Sequence, residues 1–342
     1  MKKILIIKPS GIGDIVHSLP VAIGIKYLYP ECKIHWVVFD KFEEILYGFP
    51  FVDKVISWRY SGGIKEYLSL ISKLKNENYD LIIDLQVLLR TALLGFLIKY
   101  KKVISTSFVR ELTYPFVKPV AKFNKELHAV ERNYQVVEFL AKKEKKNVPF
   151  PLELLPWIKV SLSLQEKAKK FLDFEDKKKY VLVSIGSRGL HKIWPVRNFL
   201  KLINILFQYL NNITFVFAGS ANENVLFELI KNELKAEYKN LIGKIGLKDL
   251  PALVSLCDFT ISNDNGIAHI SAALDKPTLV LFGPSNPKWF YPYNKKSGYI
   301  YKSLKCSPCG IKTFCEDNKC MKEISVEEVF DFIIKNFSKY LI

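Results

Sequence analysis

Short runs of β-branched and aliphatic residues alternate with amphipathic helical patterns along almost the whole chain. In the first half the candidate strands are Ile4–Ile7, Ile34–Val38, Lys54–Ile56, Leu81–Ile83 and Val103–Ile104. Helical patterns at Ile15–Leu28, Ile64–Leu74 and Leu88–Ile98 lie between them. Parallel strands need long crossovers, and helices at this spacing supply them, so the pattern predicts a parallel doubly wound sheet. A longer helical segment, Leu127–Lys142, closes this half. A lysine cluster followed by Pro149, Pro151 and Pro156 then breaks the alternation. It restarts with Tyr180–Ile185, a helix at Val196–Tyr209, Thr214–Ala218, a helix at Glu223–Leu234, Phe259–Ser262 and Thr278–Phe282. Val326–Tyr340 reads as a terminal helix. The 342 residues are enough for two cores. The expected fold class is α/β, with two Rossmann-like parallel-sheet domains facing a cleft. Their expected limits are 1–155 and 156–325, with a terminal helix over 326–342.

The first strand runs straight into Pro9-Ser10-Gly11-Ile12-Gly13-Asp14 and a helix. Strand, glycine turn and helix in that order build a ligand site at the carboxyl edge of a sheet. Asp14 makes this turn unlike a phosphate loop, because a carboxylate there repels a phosphate. The third glycine of G-x-G-x-x-G is also missing, since Val16 stands in its place. The turn thus reads as one that sets a carboxylate at a cleft edge, as a general base would be. The other reading is a first-turn carboxylate favoured by the helix dipole.

Three strand-to-helix turns of the second half carry polar groups. Gly186-Ser187 is followed by His191-Lys192-Ile193-Trp194-Pro195, a hydroxyl and a lysine before a proline-started helix, which suits an anion. Gly219-Ser220-Ala221-Asn222-Glu223 pairs a glycine, allowing close approach, with a carboxylate able to accept from ribose hydroxyls. Asp264-Asn265-Gly266-Ile267-Ala268-His269 opens a small-residue helix whose N-terminal N–H groups suit a pyrophosphate. Glycine turns and caps occur in every fold of this class, and His269 also reads as a core histidine.

Lys and Arg outnumber Asp and Glu by 51 to 34, a net charge of +17. The sharpest imbalance is over residues 99–125, with seven basic residues against Glu111. Such a surface suits an anionic partner such as lipid headgroups or a phosphorylated substrate. No nucleic-acid motif accompanies the charge, so nucleic acid is not an expected partner. Only four apolar residues separate Lys3 from Lys8, too few for a signal-peptide core, and the run Ala92–Ile98 is too short to span a bilayer. We expect a cytoplasmic protein, peripheral on the inner face of the membrane.

Lys8-Pro-Ser-Gly-Ile-Gly-Asp14, continued by Ile15-Val-His-Ser-Leu-Pro20, resembles the opening of the bacterial lipopolysaccharide heptosyltransferases, glycosyltransferase family 9. Lys192-Ile-Trp-Pro195 and Asp264-Asn-Gly-Ile-Ala-His269 resemble that family's second-lobe motifs, in the same order and with similar spacing. Tyr79-Asp-Leu-Ile-Ile-Asp84-Leu-Gln86 and His128-Ala-Val-Glu-Arg132 resemble its first-lobe elements, above all in the subgroup that adds the first heptose. The resemblance implies a GT-B fold, an ADP-heptose donor held by the second lobe and a Kdo-lipid A acceptor on the first. It makes Asp14 the catalytic base and gives Ser10, Gly11, Gly13, His128 and Arg132 to the acceptor. Ser187, Lys192, Glu223, Asp264, Asn265, Gly266, Ile267 and His269 fall to the donor, with Lys192 at the phosphates and Glu223 at the adenosine ribose. Asn265 and Ser187 stand where the family more often carries threonine. Catalysis then needs no metal, since lysine and a helix N-terminus meet the leaving diphosphate, and single displacement inverts the anomeric centre. The other readings are a later-core heptosyltransferase or another sugar transferase of the family, and a nucleotide-binding membrane-assembly protein without turnover.

Cys306, Cys309, Cys315 and Cys320 lie within fifteen residues. In a cytosolic chain this reads as a structural zinc knuckle, a disulfide staple or reduced packed thiols, and spacing leaves all three open.

Overall fold

The computed structural model describes residues 1–98, 102–109, 112–310, 315 and 317–342. The chain divides into two compact units, Met1–Trp157 and Ile158–Ile342. Each is built on six parallel strands.

In the first unit the strands are β1 (Lys3–Ile7), β2 (Lys33–Phe39), β3 (Lys54–Trp58), β4 (Leu81–Asp84), β5 (Val103–Ser105) and β6 (Lys118–Pro119). Their order across the sheet is β3-β2-β1-β4-β5-β6, every pair parallel. The centre of β1 is aliphatic at consecutive positions and buried throughout, because helices cover both faces of such a sheet. The strand order reverses at β1, with β2 on one side and β4 on the other. At that switch point the strand ends diverge and leave room for a ligand. The Pro9–Asp14 turn and the segment after Asp84 both leave the sheet there.

The expected helix Ile15–Leu28 is two helices, Ile12–Val16 and Leu19–Leu28, parted at His17 and Ser18. Pro20 explains the break: it has no N–H to give Val16, and its ring would strike that carbonyl in a continuous helix.

The second unit repeats the plan with β7 (Lys179–Ser184), β8 (Ile213–Phe217), β9 (Tyr238–Asn240), β10 (Phe259–Asn263), β11 (Thr278–Phe282) and β12 (Gly298–Tyr301), in the order β12-β11-β10-β7-β8-β9. Its switch point lies between β7 and β10. The helix Val196–Tyr209 buries Phe199, Leu202, Ile203 and Leu206, a stripe at helical spacing. The terminal helix Val326–Phe337 buries Val326, Val329, Ile333 and Phe337 in the same core. Each such side chain, fully buried, is worth about 1.5–3 kcal/mol. The expected helix Glu223–Leu234 is instead a short helix, Asn224–Glu228, between two 3₁₀ turns. Three strands absent from the expectation, β6, β9 and β12, are edge strands of two to four residues. Edges tolerate weak patterns because one side is unpaired.

Candidate active site

Gly11 adopts φ 81, a conformation that favours glycine, and turns the chain from β1 into the helix Ile12–Val16. A Cβ on Gly11 would lie 2.6 Å from Asp14 Oδ2, so a side chain there would displace the carboxylate. Asp14 itself is exposed, in the first helical turn. Ser18 Oγ donates to the Asp14 carbonyl at 2.8 Å, and Asn133 Nδ2 donates to Ser18 Oγ at 3.0 Å. The His17 and His128 rings meet edge to face at 5.1 Å. The base candidate therefore sits on a turn braced by the helix Ala129–Glu144.

His128 and Arg132 belong to that brace. His128 Nδ1 accepts from Val130 N as the helix N-cap, and Glu131 Oε2 accepts from His128 N in return. Arg132 is buried, donates to the Leu127 carbonyl at 2.8 Å, and places its guanidinium over Phe108 and Phe123.

Beside the turn, the carboxyl ends of β2 and β3 open into a cavity of about 680 Å³. Phe39, Trp58, Tyr60 and Tyr67 give it aromatic walls, and Arg59 and Arg90 give it positive charge. The Arg90 guanidinium stands over Phe39 at 5.1 Å and Trp58 at 5.7 Å. The volume is in the range of a small-molecule site, and aromatic faces with two guanidiniums suit an anionic sugar. Sequence pattern did not single out Arg90, although a cation just after the end of a central strand was a usable signal.

In the second unit, Ser187, Lys192, Asp264 and His269 come together at the switch point. Lys192 Nζ donates to Asp264 Oδ2 at 2.7 Å, Ser285 Oγ donates to the same oxygen at 2.6 Å, and His269 Nε2 lies 3.9 Å from Asp264 Oδ1. Ser187 Oγ donates to the Asp264 carbonyl at 3.0 Å. Burial opposes ionisation of Asp264, but Lys192 and His269 beside it, with the bonds from Lys192 and Ser285, hold its carboxyl below the usual range. Lys192 is thus paired with a carboxylate of its own unit. Ser285, after β11, was not among the expected residues.

Asn265 is spent on the turn. Its Oδ1 accepts from Ile267 N at 2.9 Å and Ala268 N at 3.4 Å, and its Nδ2 donates to Ser184 Oγ and Gly186 O, each at 2.8 Å. Two of the helix-start N–H groups are therefore already bonded, and half-buried Gly266 is the first residue of the helix.

Glu223 lies against Gly186 and Gly219, where a Cβ at either position would overlap its carboxylate. Burial pushes its carboxyl up, against the hydrogen bond from Ser220 Oγ to Oε1 at 3.0 Å. Two strand ends thus hold one carboxylate at the edge of the sheet.

Of the four clustered cysteines, Cys306 and Cys309 are exposed, Cys315 is half-buried and Cys320 is buried. Among the described residues no three His, Cys, Asp or Glu side chains stand where they could share a metal ion. The expected basic stretch is described except for residues 99–101, 110 and 111; among what is described, Leu112 (84% exposed), Tyr114 (69%) and Phe123 (45%) present apolar groups beside exposed Lys118, Lys122 and Lys125. No helix among the described residues is long and apolar enough to cross a membrane.

The chain is 28% identical over 303 residues to the lipopolysaccharide core heptosyltransferase OpsX of Haemophilus influenzae, covering 87% of this chain and 84% of that one. It is 26% identical to lipopolysaccharide heptosyltransferase 1 of Campylobacter coli, covering 98% and 99%. The solved structure of E. coli heptosyltransferase WaaC with ADP superposes with a TM-score of 0.75 at 24% identity, covering 98% of this chain and 99% of that one, and so shares the GT-B fold. Residues 67–319 match glycosyltransferase family 9 (heptosyltransferase), and the protein belongs to that family.

Proposed function

We propose that this glycosyltransferase moves L-glycero-D-manno-heptose from ADP-heptose to the Kdo-lipid A inner core of lipopolysaccharide, as the first heptose. The observation that carries the reading is Asp14, an exposed carboxylate lying against Gly11 at the switch point of the first sheet. The carboxylate takes the proton of an acceptor hydroxyl as its oxygen attacks the anomeric carbon. The bond from that carbon to the diphosphate breaks, ADP leaves with the electron pair, and the configuration inverts. The negative charge growing on the diphosphate needs a cation already in place, and Lys192 is the candidate. It would share its charge between Asp264 and the donor phosphates. Glu223 is placed to accept from ribose hydroxyls.

On the acceptor side, the aromatic and guanidinium cavity of the first unit suits a sugar acid bearing carboxylate or phosphate. The relatives are named for lipopolysaccharide substrates, and one neighbour was solved with ADP, which supports both ends of the reading. Lysines interleaved with exposed aromatic and leucine side chains suit docking to an anionic membrane face.

The test is ADP release from ADP-heptose with and without Kdo2-lipid A, for the wild type and Asp14→Asn. Acceptor-dependent release that falls by roughly a hundredfold or more in the variant supports the reading. Donor binding without release on this acceptor moves the reaction to a later-core acceptor. Near-normal turnover of Asp14→Asn removes Asp14 as the base, and a product of retained configuration removes single displacement.

A further inference from the structure

Asp84 closes β4 beside the end of β1, and its carboxylate is fully buried. Its Oδ1 accepts from Gln86 N and Val87 N, both at 2.9 Å, and the Thr91 hydroxyl is a further partner. Its Oδ2 is buried without a hydrogen bond. Burial pushes the carboxyl up to about 6, so the ionised form is held at a cost. A buried orphan oxygen calls for an explanation, and simple stability does not supply one.

The segment that Asp84 holds is strained. Val87 has φ 50, a left-handed conformation that a β-branched residue adopts only when its surroundings force it. The rest of the segment is pinned as well. Buried Lys8 donates through Nζ to the Leu85 carbonyl at 3.0 Å, Leu85 N donates to Ile7 O at 3.0 Å, and Tyr67 OH donates to the Arg90 carbonyl at 2.8 Å. What this scaffold presents is the cavity wall: Leu88, Leu89 and Arg90, with the Arg90 guanidinium over Phe39 and Trp58.

We propose that Asp84 is a positioning residue for the acceptor, holding the 86–90 segment in its strained form so that Arg90 stands in the cavity where an anionic acceptor binds. The inference rests on the reading of that cavity as the acceptor site. Asp84 touches neither substrate; it acts through the backbone of Gln86 and Val87.

Two variants test it. Asp84→Asn keeps the shape but loses the charge, and Val87→Gly releases the strain at a residue whose φ glycine adopts freely. Initial rates are measured with Kdo2-lipid A and ADP-heptose varied in turn, with ADP affinity by calorimetry, urea midpoints, and amide hydrogen exchange over residues 85–91. The expected result is an acceptor KM raised roughly tenfold in both variants, with donor KM, kcat and ADP affinity within about threefold of wild type. Amides of residues 86 and 87 exchange faster, and the urea midpoint of Val87→Gly falls modestly, because the buried Val87 side chain is lost along with the strain. An unchanged acceptor KM in both variants overturns the inference. So does a uniform loss of kcat, both KM values and stability, which marks a purely structural carboxylate. If the wild type itself transfers no heptose, the functional reading has failed, and the exchange measurement still decides whether Asp84 holds the segment.

Discussion

Lys192 and the buried carboxylate of Asp264 form an ion pair at 2.7 Å, and the lysine is the more exposed partner. A cation already held at the switch point needs little reorganisation to meet a diphosphate, which is what makes such a group effective in a transition state. The pairing predicts opposite behaviour for its two members. Lys192→Ala leaves Asp264 with only His269 and Ser285, so stability falls by about 1–3 kcal/mol and ADP affinity falls roughly tenfold or more. Asp264→Asn frees the lysine, so ADP affinity stays within a few-fold. The folded carboxyl of Asp264 titrates below its unfolded value, so its contribution to stability is present at neutral pH and is lost as pH falls through the folded value. Urea unfolding and ADP calorimetry on both variants check this. Equal loss of ADP affinity in the two would make the pair a structural unit and not a donor contact.

Glu223 and its two glycines give a second prediction. Glu223→Ala removes the acceptor oxygens for a ribose and lowers ADP affinity by roughly tenfold, about 1.4 kcal/mol. Gly219→Ala drives a methyl group into the same carboxylate and weakens ADP in the same direction, although Glu223 is intact. Adenine alone, which lacks the ribose, binds all three proteins alike. If Gly219→Ala leaves ADP affinity unchanged, the close approach has no part in binding.

The raised carboxyl of Asp84 sets a pH dependence whose sign is unusual for an acid. Its folded value, about 6, lies above the unfolded value, so the native state binds more protons and this group favours folding at low pH. The contribution fades as pH rises through the folded value. Burial is the largest cause, offset in part by the Val87 and Gln86 amides, Thr91 and Lys8. Between pH 7 and about pH 4.5 the wild type should gain about 2 kcal/mol from this group, and Asp84→Asn should not. The difference between the two proteins at two pH values isolates it from all other titrations. Parallel stability curves would mean that Asp84 is not held ionised against burial.

The fold was readable because a buried parallel strand leaves a dense apolar run, and Thr278–Phe282 and Val196–Tyr209 were expected with the limits they have. The turns at Asp14, Lys192, Glu223 and Asp264 were readable because chemistry at a switch point follows strand ends, which sequence marks well. What stayed hidden depends on contacts between distant segments. Nothing in the local pattern says that Asn265 spends its amide on Ser184 and Gly186, eighty residues away, or that Ser285 completes the Asp264 site. The cavity has the same character. Trp58, Arg59 and Tyr60 reach it from the end of β3, but Arg90 joins them through the distant Asp84 segment. The edge strands β6 and β9 escaped because two or three residues carry no period.

The last prediction concerns the surface at Leu112, Tyr114 and Phe123. Apolar side chains this exposed cost solubility unless something covers them, and the lysines among them point to an anionic bilayer. Each lysine near such a surface contributes about 1 kcal/mol, so Lys118→Glu with Lys122→Glu should weaken binding to phosphatidylglycerol vesicles by well over tenfold, roughly 3 kcal/mol or more. Added salt should weaken the wild type in the same way, because exposed charges are screened over about 10 Å at 0.1 M. ADP affinity, which we assign to the other unit, should not change. Replacing Leu112 and Tyr114 by serine removes the apolar part alone and should leave a weaker but still salt-sensitive attachment. If charge reversal leaves vesicle binding intact, the lysines are solvating charge and take no part in the attachment.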